Sequence, residues 1–288
     1  MSALTDPPQR ADLRCRGPDR RPRGRPRIAL SLALSALALA PTASPTHAQN
    51  AIDTRPDTTP PLFARADAIL AATLISSLAF IDPLERLDRN LSDIASRDAD
   101  PGAGIYRMGE AFGRNRTSLA LASAPLAWGL IVGDPTARRL GLHALESLFA
   151  TSFVTGVIKQ GVGRTRPLCG SDSDGFAPFS SDACHHSFPS GHTARAFALA
   201  TTFSLELGET APWIPWVSYT LATWTALTRV RDRAHWPTDV LGGAALGVLT
   251  ARLVHRLNYS EGREAPILIA LSTAPDGGLE VSASLAAP

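Results

Sequence analysis

Lysine is almost missing from this chain. Of 28 basic residues in 288, only Lys159 is not an arginine. With that one lysine followed by Gln160, no Walker-type phosphate loop can be written. Cysteine is scarce too, and three are too few for a disulfide-built scaffold. Charged residues make up only 19%, and their near-neutral sum of +2 argues against a dedicated nucleic-acid binder. What is abundant is apolar: 44% hydrophobic residues exclude a disordered chain. The length allows one large domain or two small ones with a sizeable core.

The slight basicity is local. Residues 1–27 carry eight arginines (Arg10, Arg14, Arg16, Arg20, Arg21, Arg23, Arg25 and Arg27) against Asp6, Asp12 and Asp19. An apolar run at 28–40 follows, then small and turn-forming residues to Ala48. A basic stretch, a short apolar stretch and small residues before a cleavage point are the anatomy of a secretory signal. Residues 1–48 are therefore expected to be a signal peptide cleaved after Ala48. A membrane anchor is the alternative, although 13 apolar residues are short for a span. Without that segment the net charge falls to about −3, and nothing remaining asks for nucleic acid.

Residues 49–65, rich in Pro, Thr and Asp, read as a linker. Apolar stretches with helical character lie at 66–81, 118–132, 136–159, 192–207, 213–228 and 238–257. Between the first two, residues 82–97 space Leu84, Leu87, Leu91 and Ile94 at helical intervals among charges, which predicts an amphipathic surface helix. Residues 163–188 form a long polar loop without periodicity, a kind usually functional or disordered. Alternation around Asp276-Gly277-Gly278 predicts a β-hairpin in the tail. The expected fold class is thus all-α. About six core helices form a bundle over 66–257, and a tail at 258–288 carries a short C-terminal β-hairpin.

Six apolar helices raise the question of a membrane. His143, Glu146, Arg195, Glu206, Arg252 and His255 interrupt them, and the first is shorter than the ~20 residues a span needs. If a signal exports the chain and three spans precede Lys159, Cys169 and Cys184 fall in the cytoplasm, where disulfides rarely persist. The sequence-based expectation is an exported, periplasmic domain, soluble or peripherally membrane-associated. A multi-span inner-membrane protein is the alternative. Cys169 and Cys184 flank a Ser-, Asp-, Gly- and Pro-rich segment and, in an oxidising compartment, could close a loop worth roughly 3 kcal/mol. Two unpaired thiols remain the other option.

Three clusters carry the chemistry. Lys159 opens the run Lys159-Gln160-Gly161-Val162-Gly163-Arg164-Thr165-Arg166-Pro167, a compact point charge where a helix enters the polar loop. Taken alone, such a basic terminus merely complements the helix dipole. Ser190-Gly191-His192 opens the fourth apolar helix after Pro189. Ser190 is placed to cap it, and the free amides make an anion site. In the third cluster, Thr228-Arg229 is followed by His235 and, four residues on, by Asp239. Pro237 suits a first helical position, so Asp239 can hold one imidazole nitrogen and expose the other. His185 and His186 are adjacent in a loop and receive no metal role; no metal site is expected. Together the clusters supply cations for an oxyanion, one histidine free to act as an acid and one oriented as a nucleophile. That set suits phosphoryl transfer through a covalent histidine, without a divalent metal.

Lys159-x6-Arg166-Pro167, Pro189-Ser190-Gly191-His192 and Thr228-Arg229-x5-His235-x3-Asp239, in this order, resemble the three-part signature of the type 2 phosphatidic acid phosphatase superfamily. Bacterial non-specific acid phosphatases and vanadium haloperoxidases belong to it. The resemblance spans residues 159–239, and Thr228 departs from the serine usual there while keeping a hydroxyl. It implies a helical bundle in which His235 attacks phosphorus, Asp239 orients it and His192 protonates the leaving oxygen. It also implies that Lys159, Arg166, Ser190, Gly191 and Arg229 bind phosphoryl oxygens, with no cofactor. The implied partner is a phosphorylated small molecule or a lipid phosphate such as phosphatidic acid, not nucleic acid, with peripheral membrane contact. The alternatives are a vanadate-dependent haloperoxidase and a non-catalytic phosphate- or lipid-binding envelope protein.

Overall fold

The structure, a computed structural model, describes residues 64–79, 81–97, 104–170, 175–259, 267–273 and 279–285. The expected signal peptide at 1–48, residues 49–63 of the linker and the turn at 276–278 lie outside them. Eight α-helices are present among the described residues: α1 (Arg65–Ala79), α2 (Ile81–Ser96), α3 (Gly104–Phe112), α4 (Asn115–Val132), α5 (Pro135–Val162), α6 (Gly191–Leu207), α7 (Ile214–Arg231) and α8 (Pro237–Tyr259).

Local chemistry sets the ends of α5, and the ends place the site. Asp134 accepts hydrogen bonds from the amides of Thr136 and Ala137, and Pro135 fills the first helical position. At the other end Gly163 turns left-handed at φ 63° and returns its N–H to the carbonyl of Lys159. A Cβ there would lie 2.1 Å from the carbonyl oxygen of Ala177, so only glycine fits. Lys159 is thereby fixed in the last turn, facing the loop that follows.

Helix α6 is the centre of the bundle and packs on α5, α7 and α8. Its Ala194, Ala196, Ala198, Leu199 and Ala200 are fully buried. Small residues also let α8 approach closely. A Cβ on Gly243 would lie 2.6 Å from the carbonyl oxygen of Ser190, and one on Gly247 would lie 2.2 Å from that of Ala194. Glycines one turn apart at a helix crossing let two backbones meet. This crossing brings the amino ends of α6 and α8 together, where the Ser190 amide donates to the Asp239 carbonyl at 2.9 Å. At the far end of α8, Arg252 and Arg256 pair with the buried Asp67 of α1.

The expected fold class needs correction. Helix α3 went unread because it is only nine residues long, with glycine at 104 and 109. It is held by packing: Gly109 fits where a Cβ would strike Trp224 of α7. The fold is a helical bundle, and the C-terminal β-hairpin expected as part of the fold class is no part of that bundle. Backbone at β1 (Ile267–Thr273) and β2 (Leu279–Leu285) pairs as an antiparallel ribbon of two strands only. Such a ribbon is marginal in water unless a third strand or a helix covers it.

Helix α2 departs from expectation in a different way. It is amphipathic, but its polar side faces inward: Asp88 and Ser92 are buried, while Leu87, Leu91 and Ile94 are exposed. By length and composition α5 and α8 can cross a membrane, and α1 with α2 makes a third span if that bent pair counts as one.

Gly247→Ala should cost about 1–3 kcal/mol by forcing α6 and α8 apart. Gly156→Ala, where the added carbon meets nothing within 4 Å, should instead gain up to about 1 kcal/mol. Thermal unfolding of both variants in detergent measures the difference.

Candidate active site

Two helices end at the site and two begin there. Lys159 comes from the last turn of α5 and Arg229 from that of α7, while Gly191 and His192 open α6 and Asp239 lies in the first turn of α8. Beyond α7 the chain reverses through Asp232 and through Arg233, which is left-handed at φ 54°. The amides of Ala234 and His235 fold back onto the carbonyl of Arg229 at 3.1 and 3.3 Å. His235 is thus buried against the end of α7, one turn ahead of Asp239.

A cavity of about 210 Å³ lies between these ends, lined by Lys159, Arg166, Gly191, His192, Arg195, Arg229, Ala234 and His235. Six of the sequence-predicted residues therefore share one space. Ser190 and Asp239 stand behind it and are fully buried. Ser190 occupies the N-cap position of α6, but its hydroxyl accepts from that of Thr193 at 3.0 Å and makes no capping bond. Burial is the largest influence on His235. With the charges of Lys159 and Arg166, it outweighs Asp239 and drives the imidazole pKa down to about 3. The ring is neutral at physiological pH, the state a nucleophile needs. Its Nδ1 is 3.7 Å from Oδ2 of Asp239, beyond hydrogen-bonding distance, and has no other hydrogen-bond partner among the described residues. Catalytic hydrogen bonds are often long before substrate binds.

Asp239 itself is firmly held. Its Oδ2 accepts from the Ser187 hydroxyl and, at 2.8 Å, from the Trp236 amide, the latter bond tying the third residue of α8 back to its cap. Its Oδ1 pairs with Arg164 Nη1 at 2.6 Å. Arg164 is completely buried, and its Nη2 meets Asp88 of α2 at 2.8 Å. Asp88 also accepts from the amide and hydroxyl of Thr238.

The loop after α5 is ordered by the same end of the bundle. Cys169 and Cys184 form a disulfide with an S–S length of 2.07 Å. The Arg166 amide donates to the Cys184 carbonyl, and the Lys159 ammonium donates to the carbonyls of His186 and Ser187 at 2.5 and 3.3 Å. His185 and His186 point to Thr165 and to the carbonyl of Ser180 respectively, so they do not converge on an ion.

Sequence reasoning missed three residues here. Arg195 adds a fourth cation to the cavity from one turn beyond His192, and its Nε and Nη2 donate to the Gly113 carbonyl. Its place at three residues after His192 was the available signal. Arg164 stood in the basic run without an assigned role. Asp88 could not be found, because only the tertiary fold brings α2 to α8.

Four cations and two imidazoles around a small cavity at a helix amino end are an arrangement that can hold a tetrahedral oxyanion. Residues 140–263 match the family model of the PAP2 superfamily. Over 68 residues the chain is 50% identical to a lipid A 1-phosphatase of Porphyromonas gingivalis, covering 24% of this chain and 15% of that protein. A lipid A 1-phosphatase of Rhizobium etli is 32% identical over 110 residues, 38% of this chain and 46% of its own. The chain thus spans less than half the length of these relatives. Among solved structures, a transmembrane PAP2-type phosphatidylglycerolphosphate phosphatase from Bacillus subtilis superposes with a TM-score of 0.53 at 25% identity. The match covers 68% of this chain and 96% of that one.

The depressed pKa of His235 gives stability a pH dependence with a definite sign. The unfolded chain takes up a proton near the ordinary value of 6.5, and the folded one only near 3. Stability should therefore fall as pH drops from about 6.5 toward 3 and change no further on this account below that. The acid limb of a stability–pH profile should be shallower in His235→Gln than in the parent protein.

Proposed function

We propose that the chain is a membrane-embedded phosphatase of lipid phosphates that works through a phosphohistidine. The observation that carries this reading is the cavity, where His192 and His235 meet four cationic side chains. Nδ1 of His235 lies on the Asp239 side, so Nε2 is the nitrogen presented to phosphorus. As the N–P bond forms, the bond from phosphorus to the leaving oxygen breaks, and His192 gives that oxygen its proton. His192 then takes a proton from water, whose oxygen attacks phosphorus. The N–P bond breaks, phosphate leaves and His235 is neutral again. Asp239, closing from 3.7 Å, stabilises the ring while it is phosphorylated. Lys159, Arg166, Arg195, Arg229 and the amides opening α6 neutralise the equatorial oxygens. The charge a divalent ion would offset in phosphoryl transfer is met by these side chains, so the scheme uses no metal or cofactor.

A lipid substrate is favoured by the relatives and by the outer surface. Named relatives are lipid A 1-phosphatases and, at 35% identity over 81 residues, a probable diacylglycerol pyrophosphate phosphatase of Schizosaccharomyces pombe. Ile131, Phe153 and Trp216 are 82%, 73% and 69% exposed on α4, α5 and α7. Large apolar side chains that far out on three helices are at home in acyl chains rather than water. The exposed leucines of α2 would lie in the interface beside the site.

Orientation follows from the disulfide. An S–S bond persists outside the cytoplasm, which supports a site end of the bundle facing that side. Asp67, at the start of α1, lies at the opposite end with Arg252 and Arg256, a basic end suited to the cytoplasm. Export by a signal cleaved after Ala48 would start α1 on the other side. Cysteine probes separate the two. Asn90→Cys, on α2, should react with an impermeant maleimide in intact cells, and Thr136→Cys should react only after the membrane is opened. The reverse pattern would overturn this orientation.

Purified in detergent, the protein should release phosphate from lipid A and from short-chain phosphatidic acid, with EDTA present or absent. Acid-labile phosphate should be trapped on His235. His235→Ala should abolish turnover, and Arg195→Ala should lower kcat/KM on the order of 10- to 100-fold, the loss of one charged hydrogen bond. Turnover surviving in His235→Ala would refute the mechanism.

A further inference from the structure

Far from the catalytic cavity, three side chains on three helices converge with donor atoms suited to a metal ion. His143 lies in the first half of α5, Glu206 in the last turn of α6 and His255 just before the last turn of α8. Lys159, His192 and Asp239 lie toward the other ends of the same helices. Sixteen residues along α5 separate His143 from Lys159, roughly 24 Å at the helical rise. One ligand atom from each of His143, Glu206 and His255 falls within 4.8 Å of the other two. Both imidazoles aim Nδ1 at the same carboxylate oxygen: Oε1 of Glu206 is 2.6 Å from His143 and 3.2 Å from His255.

The second carboxylate oxygen, Oε2, is engaged differently. It accepts from Arg139 Nε at 3.2 Å and from the Tyr259 hydroxyl at 3.1 Å. Those two bonds fix the carboxylate plane from outside and leave Oε1 facing the nitrogens, as second-shell partners do around bound metals. His143 and Glu206 are buried, while His255 is partly open, so an ion could enter along α8.

We propose that His143, Glu206 and His255 form a divalent transition-metal site, best suited to zinc, with the fourth position open to water. Two imidazoles and one carboxylate are a common zinc donor set, with bonds of about 2.0–2.2 Å. Ligand atoms around a tetrahedral zinc then stand roughly 3.3 Å apart, so the His143 and Glu206 donors, 2.6 Å apart, need to separate by about 0.7 Å. Calcium and magnesium, which demand oxygen donors, fit poorly. A bound ion would join α5, α6 and α8 at the end where no catalytic residue lies, and so act on stability rather than on phosphoryl transfer.

The test loads full-length protein in detergent with zinc chloride, desalts it and measures bound zinc and thermal unfolding. About one zinc per chain should be retained. Excess zinc should raise the melting temperature by about 5 °C, and EDTA should reverse the rise. Cobalt in its place should give the visible absorption of a four-coordinate site. Glu206→Gln, which keeps the size of the side chain, and His255→Ala, at the more open ligand, should each lose the metal and the shift. Phosphate release should stay within twofold of the parent in both. Absence of retained zinc in the parent protein, or equal zinc retention in both variants, would overturn the assignment and leave a purely hydrogen-bonded histidine–carboxylate cluster.

Discussion

The site depends on one buried guanidinium. Arg164 has no exposed surface, yet it lies between two carboxylates, Asp88 of α2 and Asp239 of α8. Burying a charge is costly unless it is paired and hydrogen-bonded, and breaking such a pair strands the remaining charges at about 3–5 kcal/mol. The arrangement therefore fixes Asp239 as an anion at the first turn of α8, with one oxygen held by Arg164 and the other by Ser187 and Trp236. An anion held in this way can stabilise positive charge on a buried imidazole such as that of His235.

Around that centre the bundle separates two tasks. Close helix crossings through Ala194, Ala198, Gly243 and Gly247 set the spacing of α6 and α8 to backbone contact. Loops and helix ends then supply the cations. Lys159 reaches the cavity because Gly163 ends α5 with a left-handed residue, and Arg166 because the Cys169–Cys184 bridge holds its loop. Electrostatic preorganisation is provided before any ligand arrives, which is the condition for its catalytic use. The apolar outer surface of the helices has the same origin: a core this rich in alanine and glycine leaves large apolar residues outside.

Much of the site was legible in the sequence. The spacing of Lys159 and Arg166, the Ser190-Gly191-His192 helix opening and the four-residue step from His235 to Asp239 are local patterns, and local patterns survive folding. The helices α1, α2 and α4 to α8 were readable within a few residues, because apolar periodicity is strong over long segments. The charges on α2 were also visible, but which face turns inward was not. A charged face is ordinarily solvated, and only the tertiary placement of Arg164 and Thr238 makes burial of Asp88 favourable.

The sequence by itself determined which chemistry is available: a lone lysine, arginines at fixed distances and two histidines beside helix starts are written in its order. Tertiary structure alone decided that Arg195 faces the cavity, that Arg164 joins α2 to α8, and that His143, Glu206 and His255 meet. Those choices are made by tertiary contacts between residues 49 to 82 positions apart. No periodicity within one segment can report which turn of a distant helix will lie against it.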